Sequence, residues 1–229
     1  MLVLFPNNTF NVLCFFSFMI KLFVGPMFSG KSDAILAEAE KLHIANRPYV
    51  LIQPSFNSRD GGKIKSRSGR ELNAEVVNVT EKGWLEKFSE LIRKNTWIAI
   101  DEFFMFPYST ESPYSIIDII RFYGRDRLIN ISSLNLDFRG EPWPIIKDLF
   151  PFADDVKVCE AVCSNCGKVA TRTQRYTKGD NGIWCPSSFS EPVLVVEGVK
   201  NYKYGAACKF HHLVGETPPL KVPFFFNLS

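Results

Sequence analysis

A chain of 229 residues that is 46% hydrophobic and 22% charged can bury a core of one domain or one and a half, which excludes disorder as the default. Its net charge of +3 is spread through the chain and argues against a nucleic-acid surface, which needs Lys and Arg clustered on one face. The densest basic stretch, Lys63, Lys65, Arg67 and Arg70, is read either as a phosphate contact or as a solvated loop.

Residues 1–18 are apolar and aromatic, with no charged side chain. They show no clear basic start or small-residue cleavage site of a signal peptide, and Pro6, Asn7, Asn8 and Asn11 interrupt the apolar run, so they are read as an extension or an upstream start and not as a membrane span. From Met19 onward, strand-like and helix-like segments alternate. "IKLFV" predicts a strand, 31–46 a helix, "YVLIQ" and "AEVVNV" strands, 81–94 a helix and "TWIAI" a strand that ends in Asp101 and Glu102. "SIIDIIRFYG" then predicts a helix, "RLINIS" a strand, 143–149 a short helix and "DVKVC" a last strand. Continuous apolar strands joined by crossover helices predict an α/β fold with a parallel sheet covered on both faces. Residues 54–73 read as a mobile loop, and 160 onward as a small metal-stapled module. The division expected is an extension (1–18), a nucleotide-binding domain (19–159), a zinc-binding module (160–213) and an unassigned tail (214–229).

"GPMFSGKS" at 25–32 fits G-x-x-x-x-G-K-[ST], with a strand before it and a helix after. Loop N–H groups and the helix dipole would hold the phosphates of ATP, Lys31 would add a point charge, and the Ser32 hydroxyl would ligate Mg²⁺. Gly25 and Gly30 permit backbone geometry that a Cβ would obstruct, and Pro26, Met27, Phe28 and Ser29 complete the loop. Asp101, at a buried strand end, suits the metal-directed carboxylate, and Glu102 points to a different side, toward the acceptor. In a kinase Glu102 would deprotonate a hydroxyl, and in an ATPase it would polarise water.

Four of the six cysteines fall between 159 and 185, which favours a metal site and a reducing, cytoplasmic setting over a disulfide framework. "CSNC" at 163–166 and "CKFHH" at 208–212 supply two close ligands at each end of a loop, as a structural tetrahedral zinc requires. The ligands chosen are Cys163, Cys166, Cys208 and His211, with Cys185 and His212 as spare candidates; Cys14 and Cys159 read as packed apolar residues.

Taken together these residues resemble the zinc-containing (type II) thymidine kinases over roughly 19–213. Five ordered segments carry the resemblance: "GPMFSGKS", "DEFFMF", "LNLDFRGEPW", "CSNCGKVATRTQR" and "YGAACKFHH"; "NSRDGGKIKSRSG" is similar to a further family loop. The resemblance implies a RecA-like P-loop sheet with a small zinc-stapled lasso domain, a homotetramer, and transfer of the ATP γ-phosphate to the 5′-hydroxyl of thymidine. It implies Glu102 as proton acceptor, with Arg59 on the phosphates and Phe104 at the position where the family has Gln beside the nucleotide. Phe138 and Thr173 would lie by the base, and Met27 by its methyl group. Tyr204 and the backbone of Leu194, Val195, Val196, Glu197 and Gly198 would form the lasso, Tyr202 being the other candidate for the base contact. Phe104, Asn135 and Asn57 replace the family's usual Gln, Asp and Asp; a lost buried hydrogen bond is worth ~1–3 kcal/mol, so activity could be weaker or substrate choice broader. Two other readings compete: a P-loop hydrolase or motor, and a zinc-stabilised module that holds nucleotide without turnover.

Overall fold

A computed structural model of the protein describes residues 19–56, 62–108, 114–193 and 201–216. In chain order these form β1 (Met19–Val24), α1 (Lys31–Ile44), β2 (Val50–Pro54), β3 (Lys63–Lys65), β4 (Glu71–Asn73), β5 (Glu75–Val77), α2 (Trp84–Lys94), β6 (Trp97–Ile100), α3 (Ile116–Tyr123), β7 (Leu128–Ser133), α4 (Pro144–Leu149) and β8 (Asp155–Val158). Six of the strands make one sheet in the order β5-β2-β6-β7-β1-β8, with every neighbouring pair parallel.

Period-2 alternation sends successive side chains to opposite faces, and both faces are covered. Leu22, Ile52, Ile98 and Ile131 pack with Phe88 and Ile92 of α2, Ile120 of α3 and Leu149 of α4. Phe23, Leu51 and Ala99 pack on Ile35, Leu36 and Ala39 of α1. The helix ends follow local chemistry. Gly83 in the left-handed region (φ 85°) delays α2 to Trp84, and at α3 a capping box pairs Ser115 Oγ with the Asp118 N–H (3.1 Å) and Asp118 Oδ2 with the Ser115 N–H (3.0 Å).

Residues 54–73 differ from the expected loop, because β3 and β4 form an antiparallel hairpin. Ile64, 1% exposed, anchors it in the core beneath α1, and its charges are paired across strands or onto that helix. Lys63 meets Glu71 at 2.6 Å, and Arg70 meets Asp33 at 2.9 Å and Glu40 at 3.2 Å. Lys63, Lys65 and Arg70 of this stretch are therefore in ion pairs.

Beyond β8 lie β9 (Ala161–Val162), β10 (Val169–Ala170), β11 (Arg172–Lys178), β12 (Trp184–Pro186) and β13 (Tyr202–Ala207). β9 and β10 pair with each other, and β12-β11-β13 make an antiparallel sheet that places Arg175 opposite Tyr204 and Thr177 opposite Tyr202. Among the described residues no helix is long and apolar enough to cross a membrane. Residues 1–18 with Cys14, Asn57 and Arg59, Leu194 to Gly198, and the tail from 217 lie outside the described residues.

Candidate active site

The site lies at the carboxyl ends of β1, β6 and β7, where open α/β sheets place their ligands. β1 enters the glycine loop at Gly25, where a Cβ would stand 2.2 Å from the Cys159 carbonyl oxygen, so only glycine fits. The loop turns through Phe28 (φ 69°) and Gly30 (φ 76°), both left-handed, and α1 begins at Lys31. Lys31 Nζ donates to the Pro26 carbonyl at 2.6 Å and to Ser29 Oγ at 3.3 Å, while Ser29 Oγ donates to the same carbonyl at 2.8 Å. Burial lowers the Lys31 pKa, and the charges of Glu102 and Asp101 oppose that shift.

β6 is not the neighbour of β1; β7 lies between them and contributes to the site. Asp101, at the end of β6, is 2% exposed, and burial raises its pKa against the hydrogen bonds and charge that favour the carboxylate. The Ser132 hydroxyl at the end of β7 donates to Asp101, the Ser32 hydroxyl also bonds it, and the Glu102 N–H donates to Asp101 Oδ1 at 3.0 Å. Asp101 thus links the phosphate-loop helix to two strand ends. Glu102 adopts a left-handed conformation (φ 50°, ψ 44°), uncommon for a residue with a Cβ. Such strain concentrates at functional sites, and here it turns the chain sharply straight after Asp101.

A cavity of about 490 Å³ joins these groups, within the usual range for a small-molecule site. Met27 to Ser32 line one side, and Asp101, Glu102, Phe104 and Met105 line another. Phe138, Thr173 and Tyr204 line it as well, while Tyr202 does not. Pro26 acts behind the wall, through its carbonyl on Lys31. Phe104, 9% exposed, packs on Trp143 with ring centroids 4.8 Å apart. Thr173 Oγ1 accepts the Met27 N–H at 3.0 Å.

Four contributors, Ser132, Asp137, Trp143 and Arg175, escaped the sequence reading, and Arg67 entered it only as part of a basic stretch read as a phosphate contact or a solvated loop. Ser132 could have been suspected from the polar pair that closes the apolar "INISS" strand. Arg67, from the turn of the β3–β4 hairpin, lines the cavity with its guanidinium 4.1 Å over the Phe28 ring. Asp137, 4% exposed, knots the pocket loop by accepting the Arg139 N–H (2.8 Å) and the Glu141 N–H (3.1 Å). Trp143 lines the cavity, and Arg175 lies behind Phe138.

Beside β9, β10 and β13, the ligating atoms of Cys163, Cys166, Cys208 and His211 all lie within 4.8 Å of one another. Two tight turns bring them together. The Gly167 N–H donates to the Cys163 carbonyl at 3.0 Å, and the His211 N–H to that of Cys208 at 3.1 Å. A hydrogen bond from the Cys208 backbone and others nearby bring the Cys163 thiol down to about 6. Three sulfurs and one imidazole nitrogen are a soft, four-donor set that fits tetrahedral zinc. Of the spare candidates, Cys185 is exposed, and His212 Nε2 is engaged by the Phe138 carbonyl at 2.8 Å. Cys159 is buried among apolar neighbours.

Against models of protein families, residues 18–212 match thymidine kinase. Among curated proteins, the chain is 34% identical over 198 residues to the thymidine kinase of Thermococcus kodakarensis, spanning 85% of this chain and 94% of that one. It is 32% identical over 197 residues to the thymidine kinase of Pyrobaculum aerophilum, spanning 86% of this chain and 99% of that one. That of Coprothermobacter proteolyticus is 30% identical over 198 residues, spanning 85% and 90%. With a family model covering most of its length and relatives at this identity matched nearly end to end, the chain belongs to the thymidine kinase family.

Proposed function

We propose that the protein is an ATP-dependent thymidine kinase in which Glu102 takes the proton of the 5′-hydroxyl as that oxygen attacks the γ-phosphorus. The bond from the γ-phosphorus to the bridging oxygen breaks, ADP leaves with that electron pair, and thymidylate is the product. The observation that carries this reading is the single cavity lined at once by the phosphate loop, Asp101 and Glu102, and the aromatic rings of Phe138 and Tyr204. A phosphate acceptor bound against the rings has a carboxylate within the same enclosure as the loop.

Catalysis of phosphoryl transfer is mostly positioning and charge stabilisation. Loop N–H groups and Lys31, with Gly25, Pro26, Met27, Phe28, Ser29 and Gly30 shaping the backbone, would hold the β- and γ-phosphates. Mg²⁺ entering with ATP would neutralise charge on those phosphates, and Ser32 and Asp101 are the residues that would hold it. The Asp101–Ser132 and Asp101–Ser32 contacts keep that carboxylate aimed. Arg59 belongs with the phosphates in this reading, and Phe104 with the wall beside them. Phe138 would stack on the base, Thr173 would hold Met27 near it, and Tyr204 with Leu194, Val195, Val196, Glu197 and Gly198 would cover it.

A structural zinc on Cys163, Cys166, Cys208 and His211, a homotetramer and a cytoplasmic location complete the proposal. Incubating the purified protein with ATP, Mg²⁺ and a panel of deoxynucleosides tests it. ADP release that depends on thymidine supports the kinase, release without nucleoside supports a hydrolase, and nucleotide binding without release supports a non-catalytic module.

A further inference from the structure

Arg175 is fully buried, at 0% exposure, and it sits in the middle of β11. A guanidinium out of water must be compensated on every side, and here the compensation has a definite shape. Its Nε donates to Ser187 Oγ at 3.1 Å, Nη1 to the Pro192 carbonyl at 2.6 Å and Nη2 to Glu191 Oε2 at 3.4 Å. Glu191 is fixed in turn by the Thr177 hydroxyl (2.8 Å) and the Ser188 N–H (2.8 Å). The guanidinium carbon lies 3.5 Å from the centroid of the Phe138 ring and 5.0 Å from that of Tyr202.

Phe138 lines the cavity and Arg175 does not, so the ring stands between the cation and the cavity. Among the described residues one carboxylate, that of Glu191, faces the cation, at the long end of ion-pair range, and the other partners are neutral oxygens and ring faces. If filling space were the whole need, an apolar side chain would meet it without the desolvation cost. A planar guanidinium held on three nitrogens does something more specific, offering a flat, fixed surface against which an aromatic ring takes one orientation. The Phe138 backbone is held separately by His212 on its carbonyl. Ring and main chain are thus located from two directions by the zinc-bearing half of the molecule.

We infer that Arg175 is a positioning residue for the nucleoside, setting the plane of Phe138 on which the base stacks. This rests on the reading of Phe138 as the base-stacking residue. Arg175 makes no contact with the phosphate loop in any of these interactions, so its effect should fall on the nucleoside and spare the nucleotide.

The test is steady-state kinetics on the full-length, zinc-loaded protein with thymidine and ATP varied separately, for Arg175→Lys, Phe138→Leu, the double variant and Tyr202→Leu. Lys keeps the charge but loses the plane and two of the three anchoring nitrogens. For Arg175→Lys we expect the KM for thymidine to rise about tenfold, with the KM for ATP within about twofold and kcat within about threefold of wild type. Phe138→Leu should raise the same KM, and the double variant should add nothing to it, because the arginine acts through the ring. An unchanged thymidine KM in Arg175→Lys beside a raised one in Phe138→Leu overturns the inference alone. An unchanged KM in Phe138→Leu overturns both the inference and the base-stacking reading. Parallel rises in both KM values for Arg175→Lys also overturn it, as general loosening. Should Arg175→Lys fail to fold, Tyr202→Leu decides, since it removes the second ring beside the guanidinium, 5.0 Å away: a raised thymidine KM with ATP unaffected supports the inference, and an unchanged one contradicts it.

Discussion

The Met27 N–H donates to Thr173 Oγ1 at 3.0 Å, across 146 residues of chain. This bond joins the phosphate loop to β11, and Thr173 is only 2% exposed, so water is not a ready substitute. Thr173→Val keeps the shape and removes the acceptor, leaving a loop N–H without its partner at a cost of about 1–3 kcal/mol. We expect a lower unfolding midpoint and weaker ATP binding in Thr173→Val, with Thr173→Ser close to wild type. Denaturant unfolding and nucleotide titration of the three proteins check this, and equal behaviour of all three contradicts it.

Gly25→Ala places a methyl group 2.2 Å from the Cys159 carbonyl oxygen, which is backbone and cannot swing aside. Either the loop or the end of β8 must shift, with a penalty of about 1–3 kcal/mol typical of overpacking. ATP affinity should fall further than stability does, because the loop is the part displaced. Isothermal titration with ATP beside thermal unfolding separates the two effects.

Metal analysis should find one zinc per chain, bound by the four residues gathered within 4.8 Å. Chelation, or Cys208→Ser, should loosen β9, β10 and β13, which pack around the cluster through Ala161, Ala170 and Ala206. Hydrogen exchange would show faster exchange there, with β1, β6 and β7 still protected. A metal-free protein with native protection in these strands would contradict the assignment.

Phe104→Gln restores the residue type common in the family at the cost of the ring pair with Trp143 at 4.8 Å. Replacing a nearly buried aromatic by an amide that must then find partners should destabilise the protein by about 2–4 kcal/mol. The expectation is a lower unfolding midpoint together with a changed ranking of deoxynucleosides, read by calorimetry and by the substrate panel.

Much of this site was visible in local pattern. Strand, glycine loop and helix around Lys31 follow from neighbouring residues alone, and so do the two close ligand pairs at Cys163/Cys166 and Cys208/His211. Sheet order is different, because nothing near Asp101 in the chain says that β7 will lie between β6 and β1 and bring Ser132 to that carboxylate. The β3–β4 hairpin was hidden by its charges, which look like a solvated loop until register sets Lys65 opposite Glu71 and buries Ile64. Arg175 was hidden for the same reason, since an arginine in a polar "TRTQR" stretch reads as surface. Its burial is compensated by partners that only the folded chain assembles.

Glu102 carries the central claim, and its substitution by Gln is the most direct measurement. The amide keeps the size of the side chain but cannot accept the hydroxyl proton, and general-base catalysis is worth roughly 10²–10⁴ in rate. Thymidine-dependent ADP release by Glu102→Gln should fall by about that factor while ATP binding stays within about twofold of wild type. Turnover at the wild-type rate in a folded, ATP-binding Glu102→Gln protein would contradict the account.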